Sequence, residues 1–375
     1  MANEKKTVRE PSFILALIPI VAMIGFMLYC FRGHSETGYH DAHLPLVMSI
    51  IVACIVGFIC GHSFQEMLAG MVERLAASME AVLILATVGF LVTSFMLSGA
   101  IPTMIVYGLD LLTPKLFLPV GCILCAIVGM ACGSSWTTTA TIGLAFLGIG
   151  AGLGIPAPIT AGMIISGAYV GDKFSPLSDT TNLAAAVAET GLFDHVTAMV
   201  STTGPTLLLS LILYTILGLN VDTSAYDATV AEGIQEAFRG AFTISPILLL
   251  PIIVVIVMCI LRVPGLVGIA ISVATAVVFM LIFQSTDIFY SYSLGDIFDV
   301  LHYGHAVETG NAVADSILGK AKGMDGMMWT INLILVALAY GGALERCGCI
   351  EKLFGGLKHK IHSVGSLILA TLLTS

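Results

Sequence analysis

Long apolar runs alternate with short polar breaks along most of the chain. Phe13–Phe31, Leu44–Cys60, Ala81–Leu97, Leu207–Leu219, Ile247–Leu261 and Leu266–Phe283 are almost free of charge. Crossing a hydrocarbon layer takes roughly 20 apolar residues in helical form. In lipid such a run must be helical, because only a helix satisfies its own backbone. With the shorter runs included, the pattern predicts about ten to twelve membrane segments. The expected fold class is all-α: a polytopic membrane protein of about ten or more transmembrane helices. Asn220–Gly240, NVDTSAYDATVAEGIQEAFRG, breaks the pattern. It is polar and acidic, and its spacing predicts an amphipathic helix from Tyr226 to Arg239.

Composition supports this reading. The 375 residues are 57% hydrophobic and 10% charged, whereas a soluble domain carries about 25% charge. The net charge of −9 does not point to a cationic partner, since much of it lies in Asp222–Glu236 and Asp287–Asp315, which read as loops outside the membrane. Lys5, Lys6 and Arg9 precede the first apolar run and put the N-terminal tail, residues 1–11, in the cytoplasm. The first run lacks a small-residue cleavage site, so no cleaved signal is expected. Cys122 and Cys125 form a C-x-x-C inside an apolar run and read as small buried hydrophobes. His302, His305 and Glu308 read as a solvated loop rather than a metal site. His34, His40 and His43 read as a wet loop, with pH sensing as the alternative.

The chain also repeats itself. Ser12–Tyr29 and Ser245–Leu261 both begin at serine and carry a mid-run proline, Pro19 and Pro251. Ser63–Gly70 and Ser293–Val300 are amphipathic counterparts. Met79–Ile101 and Met328–Ile350 align at a constant offset of 249. The expected organisation is a first transmembrane repeat over 12–219, an acidic linker over 220–240 and a second repeat over 241–375. By the same offset Ser375 answers to Ala126. The second repeat therefore stops before any counterpart of the polar stretches described next, and a fragment of a longer chain is expected. Transporters built from two repeats hold their substrate at the repeat interface near mid-membrane.

Two polar stretches sit among the apolar runs. Gly133–Thr141, GSSWTTTAT, packs six hydroxyls into nine residues. A regular helix can hold them by bonding each hydroxyl to a carbonyl one turn earlier. The favoured alternative is an unwound helix whose hydroxyls and freed carbonyls meet a small hard cation, which prefers oxygen. Gly171–Asn182, GDKFSPLSDTTN, is the second stretch. Gly171 permits a break, Pro176 disfavours helix at Ser175, and Ser178 or Asp179 can cap a new helix over Thr180–Glu189. These lengths fit a re-entrant hairpin with its tip at Gly171–Asn182, where ionisable groups are costly unless functional. Asp172 and Asp179 are the candidates to hold either a proton or Na+ but not both, an exclusion that couples opposite fluxes. Ser175, Ser178, Thr180, Thr181 and Asn182 offer neutral oxygens. Lys173 either pairs with an aspartate, holds a cation's place or reaches the interface, and Glu189 is a second titrating group or a packing residue.

At GDKFSPLSDTTNLAAAVAE the sequence resembles the NhaC family of sodium–proton antiporters, and GSSWTTTATIGLA and LVALAYGGALE are similar to the same family. The resemblance implies two inverted repeats with re-entrant hairpins and broken helices, a bacterial cytoplasmic membrane and Na+-linked exchange. It assigns ion or substrate binding to Ser134, Ser135, Thr137, Asp172, Ser175, Asp179, Thr180, Thr181 and Asn182, with Asp172, Asp179 and Asn182 on Na+. The expected activity is Na+/H+ antiport. The alternative is a Na+- or proton-coupled carrier of a small organic acid, such as malate or lactate, or of an amino acid. A membrane enzyme is disfavoured, since the spans hold no Ser/His/Asp set, HExxH or phosphate loop. The implied partners are the lipid bilayer, Na+ and H+, with a homodimer as one assembly the reading allows. No cofactor and no nucleic acid is implied.

Overall fold

The computed structural model of the chain describes residues 8–32, 41–175, 178, 180–181, 184–185, 190–220, 228–261, 263–284 and 294–358. The chain divides into two compact units, Met1–Leu83 with Met328–Ser375, and Ile84–Met327. Helices α1 (Phe13–Arg32), α2 (His43–Ile59), α3 (Phe64–Ala77) and α4 (Met79–Leu97) come first, then α5 (Ala100–Leu111) and α6 (Pro114–Cys132). A four-residue α7 (Ser135–Thr138) runs through a π-helical turn, Thr139–Gly143, into α8 (Leu144–Gly152). Next come α9 (Ala157–Phe174), α10 (Leu192–Leu219), α11 (Ala228–Ala241), a 3-10 turn at Pro246–Leu249, α12 (Leu250–Ile260) and α13 (Gly265–Phe283). The last are α14 (Leu294–Tyr303), α15 (Ala312–Leu318), α16 (Asp325–Arg346) and α17 (Cys349–Lys358).

The chain is an all-helical, multi-pass membrane protein. Among the described residues four helices are long and apolar enough to cross a bilayer alone: Phe13–Arg32, Leu192–Leu219, Leu266–Phe283 and Asp325–Arg346. Two bent pairs raise this to six. Other apolar runs form shorter helices, because glycine and proline break them. Ile14, Leu17, Val21, Ile24 and Leu28 of α1, and Leu208, Ile212 and Ile216 of α10, are exposed. Apolar faces of this extent belong against lipid.

In the first unit α1 packs on α2, and α3 starts at a capping box. Ser63 Oγ accepts from the Glu66 N–H at 3.2 Å, and the Ser63 N–H donates to Glu66 Oε2 at 2.8 Å. The unit's core gathers Ala53, Val56, Met67, Tyr340, Ala343 and Leu344. The internal repeat has a backbone counterpart. Gly99 (φ 79°) separates α4 from α5, and Gly348 (φ 72°) separates α16 from α17. These two left-handed glycines lie at the same offset of 249 as the sequence match.

The second unit carries the polar stretches. Phe117 and Phe146 meet edge to face with ring centroids 6.0 Å apart, and a Cβ on Gly150 would lie 3.3 Å from Phe117. One on Gly121 would lie 3.6 Å from Phe146. As residue numbers rise along α6 they fall along α8, so α6 and α7–α8 form a hairpin whose tip is Gly133. The sequence reading placed a hairpin tip at Gly171–Asn182, whose second arm lies largely outside the described residues; the α6/α7–α8 hairpin is one it did not single out. The amphipathic linker helix predicted at Tyr226–Arg239 is described over Ala228–Ala241 as α11. It buries Ala231, Ile234 and Phe238. Gln235 Nε2 donates to Asp110 Oδ1 at 2.8 Å, and Arg239 pairs with Asp110 at 3.7 Å.

Candidate functional site

The site forms where α6 and α9 run side by side, and small residues make that approach possible. A Cβ on Gly171 would meet Ala126 O, Met130 N at 2.6 Å and Gly129 C at 2.9 Å. One on Gly129 would meet Ala168 O at 2.8 Å. Gly167 lies against Cys122 O, with Cys125 Cβ 2.8 Å from where its own Cβ would stand. Cys122 and Cys125 are fully buried free thiols at this crossing, matching their reading as small packing residues. Close backbone approach through glycine, alanine and cysteine is the usual way membrane helices associate without a hydrophobic drive. Gly171 therefore does not break the helix. It is inside α9, which continues to Phe174 and ends at Ser175 (φ −81°, ψ 125°). Asp172 is consequently a helical residue and not part of a loop.

Both helices end about one turn beyond this contact. α6 stops at Gly133, which is left-handed (φ 65°, ψ 23°) and donates its N–H to Gly129 O at 2.8 Å. Ser134 is extended and caps α7, its Oγ accepting from the Thr137 N–H at 3.2 Å and from Thr137 Oγ1 at 3.1 Å. Ser135 then donates its hydroxyl across to Asp172 Oδ2 at 3.0 Å. This bond joins the two polar stretches. Asp172 is 7% exposed, and Ser135, Thr137, Ser175, Ser178 and Thr181 are buried with it.

The remaining hydroxyls divide. Thr138, Thr139 and Thr141 donate to carbonyls four residues earlier, at 2.9, 2.8 and 2.7 Å. That is the regular-helix outcome, so the stretch is not unwound throughout. The break is confined to Gly133 and Ser134. The π turn beginning at Thr139 absorbs the irregularity, and such turns concentrate at functional sites. On the other side, Ser175 N–H donates to Asp172 O at 3.1 Å. Ser178 Oγ accepts from the Thr181 N–H at 3.3 Å, as a helix cap does, and lies 3.1 Å from Thr180 Oγ1. Thr181 Oγ1 reaches back to Asp172 O and Lys173 O, each at 3.3 Å. Asp179, Asn182 and Glu189 lie outside the described residues.

The electrostatics favour a cation. The carbonyl ends of α6 and α9 lie at one level, and a helix C-terminus carries about half a negative charge. The Asp172 carboxylate adds to it, and among the described residues its one hydrogen-bond partner is the neutral Ser135. Among the described residues no cationic side chain bonds to it, so the oxygens gathered here suit a small hard cation. Sequence reasoning missed the glycine contact and the Thr181 bond to the α9 carbonyls. The spacing Cys122, Cys125, Gly129 against Gly167, Gly171 was the available signal for the first.

Gly133 supplies a test. Left-handed backbone costs an ordinary residue about 1–2 kcal/mol but spares glycine, and asparagine tolerates it. Gly133→Val is expected to lower the melting temperature of the purified protein, with Gly133→Asn close to the parent. Equal behaviour of the two variants in thermal unfolding contradicts the assignment of Gly133 as the hairpin tip.

Residues 167–375 match the Na+/H+ antiporter family. A Na+/H+ antiporter NhaC of Alkalihalophilus pseudofirmus is 34% identical over 335 residues, covering 89% of this chain and 71% of that protein. An arginine/ornithine antiporter ArcD of Halobacterium salinarum is 35% identical over 368 residues, 97% of this chain and 74% of that one. A malate-2H+/Na+-lactate antiporter of Bacillus subtilis is 32% identical over 370 residues, 99% and 77% respectively. No solved structure matches the chain.

Proposed function

Because this chain belongs to the Na+/H+ antiporter family, we propose that it exchanges Na+ for H+ across a bacterial cytoplasmic membrane through Asp172 and the hydroxyls around it. The buried Ser135–Asp172 bond carries the reading. Na+ and H+ are alternative cargoes for one carboxylate. When Na+ is bound, Asp172 and Ser135 give it oxygens, with Ser134, Thr137, Ser175, Thr180, Thr181, Asp179 and Asn182 completing the proposed set. When a proton binds Asp172, the negative charge that holds Na+ is gone. A carrier that changes its exposed face only when loaded then moves the two ions in opposite directions.

The charge distribution supports a cytoplasmic N-terminus. At one end of the first unit Arg9, Arg74, Arg346 and Lys352 line adjoining clefts. The opposite end of α1 carries Arg32 alone among that unit's described Lys and Arg. Cytoplasmic ends of membrane helices are the ones rich in Lys and Arg.

A second reading is coupled transport of an organic acid or amino acid. The half-buried Lys173 beside Asp172 favours it, since a carboxylate substrate needs a cationic partner. Proton flux in vesicles holding the full chain separates the two. Na+ or Li+ alone is expected to collapse an imposed pH gradient. A response only after malate, lactate or arginine is added overturns simple antiport in favour of the carrier.

A further inference from the structure

The N-terminal ends of α2 and α16 carry three side chains that the exchange site does not use. Asp41 precedes α2, and its Oδ1 accepts from the His43 backbone N–H at 3.2 Å and faces His43 Nδ1 at 2.5 Å. Its Oδ2 accepts from the Trp329 indole N–H at 3.0 Å. His43 Nε2 lies 3.2 Å from the Trp329 carbonyl oxygen, and the two rings meet edge to face at 5.2 Å. The His43 side chain above all, helped by the Trp329 indole and the His43 backbone N–H, holds Asp41 below the usual carboxylate range despite the opposing cost of burial. Asp41 therefore stays an anion where imidazole groups titrate, near ~6.5 for a free side chain.

Both ring nitrogens of His43 consequently face acceptors. Each needs an N–H to make its bond, and a neutral imidazole has only one. The full set of contacts is satisfied by the doubly protonated ring alone. Asp41 is the charged group against it. On α1, which packs on α2, Arg32, Tyr29 and Cys30 are the charged and titratable groups at that end, the first two exposed and Cys30 half-buried. α16 begins at a charged residue, Asp325, and Met328–Leu335 contains none. The His43 and Asp41 side chains are 15% and 28% exposed, so solvent protons reach them.

We propose that Asp41, His43 and Trp329 form a proton-binding latch: a second proton on His43 closes its bond to the Trp329 carbonyl and tightens the hold of the start of α16 on the start of α2, and loss of that proton opens this bond and leaves the Asp41–indole bond as the remaining tie. The latch is on the face opposite the N-terminus, the outer face in the orientation proposed above. It makes exchange respond to outer pH, a consequence that rests on the exchange reading; the proton binding itself does not.

The test uses the full chain in lipid nanodiscs with 15N-labelled histidine and tryptophan, titrated from about pH 5 to 8, the span in which histidine changes charge. The chain has two tryptophans, so Trp329→Phe assigns the indole signal, and His43→Gln assigns the ring. The expected result is an imidazolium signature for His43 while the Trp329 indole is in its bonded position, with both signals moving together. In Asp41→Asn the joint movement is lost. A His43 ring that stays neutral down to about pH 5, an indole signal that ignores the titration, or an unchanged Asp41→Asn variant each overturns the latch. In vesicles, His43→Gln is expected to keep the maximal Na+ flux and lose its dependence on outer pH. A coupled NMR titration with an unaltered flux profile overturns the regulatory role. Absence of any Na+ flux in the parent protein counts against the exchange reading, while the NMR result still decides the latch.

Discussion

Replacing Asp172 by asparagine is expected to weaken Na+ binding by about 100-fold or more and to abolish Na+-driven proton flux, with expression and thermal stability close to the parent. The side chain keeps its size and still accepts the Ser135 hydroxyl, but the negative charge is lost. A charge-assisted contact is worth about 1.5–3 kcal/mol, and each 1.4 kcal/mol is tenfold in affinity. Ser135→Ala removes one neutral bond and leaves the carboxylate, so a loss of about tenfold or less is expected. The order of the two variants is the diagnostic. Undiminished Na+ affinity in Asp172→Asn, or a larger loss in Ser135→Ala, removes Asp172 from the centre of the site. Binding measured by calorimetry and flux measured in vesicles report the two effects separately.

The second large effect is structural. Gly171→Leu is expected to stop the protein reaching its native packing, because the new side chain enters the space of Ala126, Gly129 and Met130. Backbone lines that space, so no flexible side chain can swing away, and overpacking a filled contact costs about 1–3 kcal/mol or more. Gly162 on the same helix is the control. A Cβ there would meet only the Tyr214 hydroxyl at 3.6 Å, so Gly162→Ala is expected to be tolerated. Size-exclusion profiles and melting temperatures in detergent distinguish the two. A monodisperse, normally melting Gly171→Leu protein contradicts the assigned α6–α9 contact.

The class of the protein and the positions of its polar breaks were legible because both are local. Apolar runs between polar breaks define membrane helices whatever their packing, and Ser178 accepts from the Thr181 N–H by a capping rule that spans three residues. The meeting of Ser135 with Asp172 was not legible. It depends on α6 and α9 running alongside each other, which follows from glycines 42 residues apart, Gly129 and Gly171. Gly171 was misread for the same reason. By itself a glycine before a proline-containing stretch signals a break, and only the neighbouring helix reveals that its missing Cβ serves packing instead. The threonines of Thr137–Thr141 look equivalent in sequence, yet three turn back on their own helix while Thr137 bonds to Ser134. The π turn separating these roles has no residue signature. His34, His40 and His43 also look alike in the sequence, and His43 is set apart by a tryptophan 286 residues away.

The account stands on competition between Na+ and H+ for one buried carboxylate. Na+ binding to the purified full chain, measured by calorimetry in buffers of different ionisation heat across a pH series, tests it most directly. Linkage requires that the apparent affinity fall by about tenfold per pH unit on the acid side, with about one proton released per Na+ bound. Both effects are expected to vanish in Asp172→Asn. Na+ binding that releases no proton and holds the same affinity across the series contradicts the account.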